Sequence, residues 1–220
     1  MDAMECIKSR QSIRKFTEQE VDPQLLREVI NAARWSPSYK NSQPWQVMVL
    51  SGARKEQLSA RLVELLKSGQ DPQPDLAAPT SWPPAEEANI AKLLKQRQEA
   101  MGIDLSDPAI IKKAKEANFN FYGAPIGIYL YQESSLTSWS LFDLGLFAQS
   151  LMLAAHAKGL ATVPQAFATD YGAETKDILG IPASMRLVLG LSLGYPDLTS
   201  PANQLRTERA EIDEFVQWLE

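Results

Sequence analysis

The 220-residue sequence predicts a single α+β domain, dominated by helices and carrying a few strands. Three observations lead there. An apolar helical pattern runs from Ser138 to Lys158, long enough to be central or to be buried against a second subunit. Strand-like runs at 45–50, 125–131 and 186–193 fall irregularly among helical stretches instead of alternating with them. No internal repeat and no second self-contained set of strands appears, so 1–220 reads as one domain.

The elements follow in order. Lys8, Arg10, Arg14 and Lys15 form a basic island within eight positions that hold no acid. If this stretch is extended, Arg10, Ser12 and Arg14 share one face and Ile13 points to the other. Two guanidiniums beside a hydroxyl suit a phosphate, although a solvated basic stretch has the same composition. Asp22-Pro23 starts a helix whose apolar face is Leu25, Leu26, Val29, Ile30 and Ala33, and which ends before Ser36-Pro37. A polar loop to Pro44 leads into the 45–50 strand, and Leu58, Leu62, Leu65 and Leu66 mark a helix ending near Gly69. Residues 70–85 hold Pro72, Pro74, Pro79, Pro83 and Pro84, so they read as a surface excursion or lid. Polar helices follow at about 86–101 and 108–121, making 70–121 a variable cap region of the one domain. After the 125–131 strand and the 138–158 helix, Gly159 is placed to end that helix in a left-handed conformation. A short helix then ends at Gly180, before the 186–193 strand and a turn at Gly194-Tyr195-Pro196-Asp197.

Composition narrows the function. A net charge of −5 argues against nucleic acid as partner, and no apolar run reaches the ~20 residues that span a bilayer. Cys6 is the only cysteine, which fits a reducing cytoplasm. The N-terminal residues carry no signal-peptide core. With one histidine, His156, and one cysteine, His/Cys metal sites are not expected. A Ser-His-Asp triad would have to use His156, which sits inside the apolar helix and reads as structural; there is no Gly-x-Ser-x-Gly elbow. No side chain is therefore assigned a catalytic role, and a bound cofactor should carry any reaction.

Neither a Gly-x-Gly-x-x-Gly fingerprint nor a P-loop is present, so any phosphate must be held by arginines. Asn203 to Arg209 supplies two more, Arg206 and Arg209; these either join Arg10 and Arg14 or pair with Glu208, Glu211 and Asp213 on a solvated helix start. Five segments then occur in one order: Arg10-x-Ser12-x-Arg14, Ser36 to Trp45, Gly159 to Ala166, Leu193 to Asp197, and Asn203 to Arg209. This order resembles the FMN-dependent nitroreductase family, closest to its nitrobenzoate-type branch.

The resemblance implies a nitroreductase-like fold, a small mixed central sheet flanked by helices, in an intertwined homodimer with one FMN at each end of the interface. It puts Arg10, Gln11, Ser12, Arg14, Arg206 and Arg209 at the phosphate end of FMN. It brings Pro37, Ser38, Tyr39 and Asn41 to the flavin of the other subunit, and makes Asn118 or Asn120 a polar contact to the flavin. Pro164, Gln165 and Ala166 lie along the ring, with the Ala166 N–H near N5. The implied activity is ping-pong hydride transfer from NAD(P)H, through flavin N5, to nitroaromatics, quinones or similar small electron-poor acceptors. Other redox chemistry on the same flavin (a destructase, a dehalogenase, a small-substrate oxidase) and a non-catalytic flavin sensor are the alternatives. Phe167 is read as core, with Tyr39, Trp82 and Trp139 as aromatic candidates for the slot wall.

Overall fold

The computed structural model describes residues 1–219. The sequence signals for α2 (Pro23–Ala33), β1 (Gln46–Leu50) and α3 (Gly52–Ser68) are met where they were placed. The Asp22 side chain accepts from Gln24 N–H at 2.8 Å, with Pro23 at the first helical position. α4 (Pro84–Met101) and α5 (Pro108–Phe119) follow, then β2 (Ile126–Glu133) and α6 (Ser138–Ala157), after which Gly159 adopts φ +78°. β3 (Ala161–Gln165), α7 (Gly172–Leu179) and β4 (Met185–Gly194) complete the fold. Two elements go beyond the sequence reading. The N-terminus forms α1 (Ala3–Ser9), and Ala161–Gln165 is a fourth strand.

The sheet order is β1-β2-β4-β3, with every ladder antiparallel. Parallel pairing, expected as part of a mixed sheet, occurs only as isolated bridges such as Ser12 with Thr162. The basic island passes the β3 edge too briefly for a ladder; Ile13 N–H donates to Thr162 O at 3.1 Å. Helices cover both faces of the sheet. Ile126, Ile128 and Leu130 of β2 point toward α2 and α6, among Val29, Leu144, Phe147 and Leu151. Tyr129, one residue out of phase, points to the other core with Leu58, Leu62, Phe119 and Phe121. Burial of each such side chain contributes roughly 1.5–3 kcal/mol, so β2 and α6 are the fold's axis. β4 approaches the turn after β3 so closely that a Cβ on Gly190 would lie 2.5 Å from Ala168 Cβ.

The proline-rich stretch is fastened at its beginning. Asp75 accepts from Lys176 Nζ at 2.9 and 3.0 Å and from Leu187 N–H at 2.8 Å. Gln73 N–H donates to Asp170 O at 2.7 Å, and Tyr171 Oη donates to Gln70 O at 3.1 Å. The segment therefore leaves the body of the molecule only after residue 75. α4, beyond it, buries no residue of its own.

Candidate functional site

From Arg10 on the basic island is extended, as its parity required, whereas Lys8 belongs to the last turn of α1. Ile13 is 3% exposed and packs in the core, while Arg10, Ser12 and Arg14 face a cavity of about 680 Å³. What fixes this run is Asn203, 4% exposed and distant in sequence. Its Oδ1 accepts from Arg14 N–H at 2.7 Å, and its Nδ2 donates to Lys15 O and Asp197 O, both at 2.8 Å. Its own carbonyl accepts from Gln11 Nε2 at 3.0 Å. The sequence reading used Asn203 only as the start of a stretch. Its role depends on a contact 189 residues apart, which no local pattern announces.

Arg206 and Arg209 enter the same cavity. A 3-10 turn at Pro201–Asn203 gives way to irregular chain through Arg209, and only a short 3-10 turn capped by Glu211 follows at Ile212–Glu214; among the described residues neither arginine pairs with the carboxylate of Glu208, Glu211 or Asp213. Arg206 is a brace. Its guanidinium donates to Ser9 O at 2.7 Å, Lys8 O at 3.1 Å and Gln11 Oε1 at 3.1 Å. Arg209 turns back on Thr207 and on Glu208 O at 2.8 Å. Arg14 contributes a long contact to Ser12 O, 3.4 Å. Arg10 keeps a buried Nη1 with no hydrogen-bond partner. Desolvation, then Arg209 and Arg206, lowers the Arg10 pKa, so the bare cavity disfavours its charge. Among the described residues no Asp or Glu lines the cavity, and Arg97 of α4, not singled out from sequence, joins the four arginines there. An unpaired buried guanidinium nitrogen amid like charges fits an anion such as a phosphate.

Thr162, Pro164 and Ala166 share one face of the chain along β3. The bridge to Ser12 is at Thr162, and Ala166 lies about 13 Å further along at strand rise. Pro164 and Ala166 are exposed, and no acceptor among the described residues engages the Ala166 N–H. Gln165 faces inward, 1% exposed; its Nε2 donates to Asn118 O at 2.7 Å and Oδ1 at 3.0 Å, and its Oε1 accepts from Ser192 Oγ at 2.5 Å. Asn118 is thus spent on Gln165 and on Tyr122 Oη at 3.2 Å. Neither side chain lines the cavity, and within one chain neither do Pro164, Ala166 or the Pro37–Asn41 loop.

That loop is exposed and strained, with positive φ at Lys40, Asn41 and Gln43. Buried Asp143 of α6 holds it, accepting from Tyr39 N–H at 3.1 Å. The Tyr39 ring stacks on Trp139 with centroids 6.0 Å apart. Trp82 stands half-exposed on the proline-rich stretch. Phe167, expected in the core, is instead half-exposed under Lys115 Nζ, because the turn at Phe167–Thr169 sends Ala168 and Thr169 inward. His156 contacts Ser9 Oγ at 2.7 Å. Its pKa is lowered by desolvation, Arg10 and Arg206. No group of three or more His, Cys, Asp or Glu gathers as a metal site among the described residues, and none of their helices is long and apolar enough to cross a membrane.

A family model described as Nitroreductase family matches residues 7–195. A 4-nitrobenzoate reductase of Pseudomonas putida is 35% identical, over 97% of this chain and 93% of that protein. Among solved structures, the FMN- and NADPH-dependent nitroreductase NfnB of a Sphingopyxis strain superposes with TM-score 0.96 at 28% identity over the whole of both chains. The FMN-dependent NfnB of Mycobacterium smegmatis, solved with NADPH, gives 0.94 at 30% identity over 99% of this chain and 98% of that one.

Proposed function

This chain belongs to the nitroreductase family, and on that premise we propose that it is an FMN-dependent NAD(P)H oxidoreductase that reduces nitroaromatics, quinones or similar small electron-poor acceptors. The observation that carries the proposal is the acid-free cavity where Arg10, Arg14, Arg206 and Arg209 converge with one guanidinium nitrogen buried and unpaired.

When bound, FMN would supply the redox chemistry, hydride transfer between NAD(P)H and the acceptor. The protein's part is binding and orientation. Arg10, Arg14 and Arg209 would hold the phosphate, while Arg206 braces the Lys8 and Ser9 carbonyls and the Gln11 side chain. Exposed Pro164 on β3 and Ala166 just after it would form a wall for the ring, with the open Ala166 N–H as the donor offered to it. Gln165, locked between Asn118 and Ser192, keeps that wall from rotating. No side chain is assigned the task of moving a proton; the chemistry would be the flavin's own.

The site is completed in a homodimer. Pro37, Ser38, Tyr39 and Asn41 stand on a loop outside their own chain's cavity, and Trp35, Phe142, Phe215 and Trp218 are more than half exposed in one chain. Apolar area of that kind supports coverage by a second copy. We place the protein in the cytoplasm, where the lone, buried Cys6 thiol stays reduced.

The decisive experiment is the absorbance spectrum of the purified protein. Flavin bands that bleach anaerobically on adding NADH or NADPH and return with nitrobenzoate or a quinone are the expected result. A colourless protein that refuses added FMN overturns the proposal.

A further inference from the structure

The cap helix α4 turns one face to the arginine cavity, and Leu93, Arg97 and Met101 line it from there. These lie four residues apart, so they form one stripe with the cation between two apolar side chains. The other lysines of this helix segment point elsewhere; Lys92 pairs with Glu208 at 2.5 Å in the open, and Lys95 is exposed. Arg97 has no hydrogen-bond acceptor among the described residues, and its surroundings disfavour its charge through desolvation and through Arg14. α4 buries none of its residues, and its nearest support is the Pro201–Asn203 turn. A helix so weakly held, pressing a half-buried guanidinium toward other guanidiniums, occupies a position that an anion between them would stabilise.

We propose that Arg97 is a further phosphate-contacting residue, delivered by α4, so that filling the cradle with the flavin phosphate also fastens the cap. The proposal rests on the reading that Arg10, Arg14 and Arg209 hold that phosphate. Cofactor occupancy and cap closure then become one equilibrium: the same anion that neutralises Arg10 and Arg14 draws Arg97 inward. Riboflavin, which lacks the phosphate, fills the ring site without closing the cap.

The test compares wild type, Arg97→Ala, Arg97→Lys and Arg14→Ala, each checked for folding by circular dichroism. FMN and riboflavin affinities are titrated, and hydrogen exchange is followed across residues 84–101. Arg97→Ala is expected to weaken FMN about tenfold, the loss of one charged hydrogen bond, and to leave riboflavin unchanged. Arg97→Lys retains part of the affinity. FMN, but not riboflavin, slows exchange in α4 of the wild type, and that protection vanishes in Arg97→Ala. Wild-type FMN affinity and α4 protection in Arg97→Ala, with FMN lost in Arg14→Ala, overturn the assignment of Arg97 and leave the cradle standing. Equal weakening toward FMN and riboflavin overturns it as well, since Arg97 then only supports the helix. If FMN binding is unchanged but the NADPH:NADH ratio or the KM for a carboxylated acceptor shifts, Arg97 serves the transient substrate and the proposal fails. Unchanged FMN affinity in both Arg97→Ala and Arg14→Ala refutes the cradle itself.

Discussion

Replacing Asn203 by alanine removes three side-chain hydrogen bonds at once: those with Arg14 N–H, Lys15 O and Asp197 O. Asn203 is buried, so these bonds are lost where water reaches the partners poorly; Lys15 O keeps its bond from Asp197 N–H at 3.0 Å. At about 1 kcal/mol per bond the expected loss is about 3 kcal/mol, a large share of the 5–15 kcal/mol that holds a typical domain together. A chain of this size loses roughly 2–4 °C of Tm per kcal/mol, so Tm should fall by about 6–12 °C. The lesion also has a second readout. The Arg14 N–H donates to this amide, so FMN should bind more weakly in Asn203→Ala although residue 203 acts on the cradle only through the backbone it positions. Urea unfolding with an unchanged slope, together with an FMN titration at a temperature where both proteins are folded, separates the two effects. A variant within 1 kcal/mol of wild type and with unaltered FMN affinity would falsify the role given to this residue.

Three further outcomes follow from the geometry. The His156 pKa is depressed on folding by burial, Arg10 and Arg206, so the folded chain binds its proton less readily than the unfolded chain does. Its contribution is therefore present above the unfolded value of about 6.5 and is lost as pH falls below it, a slope that should flatten in His156→Gln and shrink when inorganic phosphate shields the arginines. Gly190→Ala places a Cβ 2.5 Å from that of Ala168, and overpacking of this kind should cost about 1–3 kcal/mol in denaturant; a melting curve identical to wild type speaks against the close approach. Asp143→Ala frees the Tyr39 N–H and releases the positive-φ loop, so trypsin should cut after Lys40 several-fold faster, with no change in rate counting against the anchor.

Local chemistry made much of this readable. The Asp22-Pro23 start of α2, the apolar run of α6 and the alternation of Arg10, Ser12, Ile13 and Arg14 are each written in neighbouring residues, and each appears as read. α1 was also legible in principle. Asp2 caps the Glu5 N–H at 2.9 Å, and the Asp-x-x-Glu spacing signals a helix start, but only seven residues follow. β3 escaped because Pro164 interrupts its pattern; proline is tolerated there because β3 is the outer strand of the sheet. Asn203, Arg97 and the Gln165–Asn118 pair stayed hidden for another reason. Each acquires its role from a residue far along the chain, and a sequence carries no local mark of that.

The position of β3 has one more consequence. An outer strand normally offers its free backbone groups to any other strand, which invites sheets to join and aggregate. Here the outward carbonyl of Thr162 is already taken by Ile13 N–H, and two residues on Pro164 has no N–H to offer. The arm that brings the arginines to the cavity and Pro164 thus also blunt this margin of the sheet. Within a single chain, this edge of the sheet is thereby guarded against pairing with another strand.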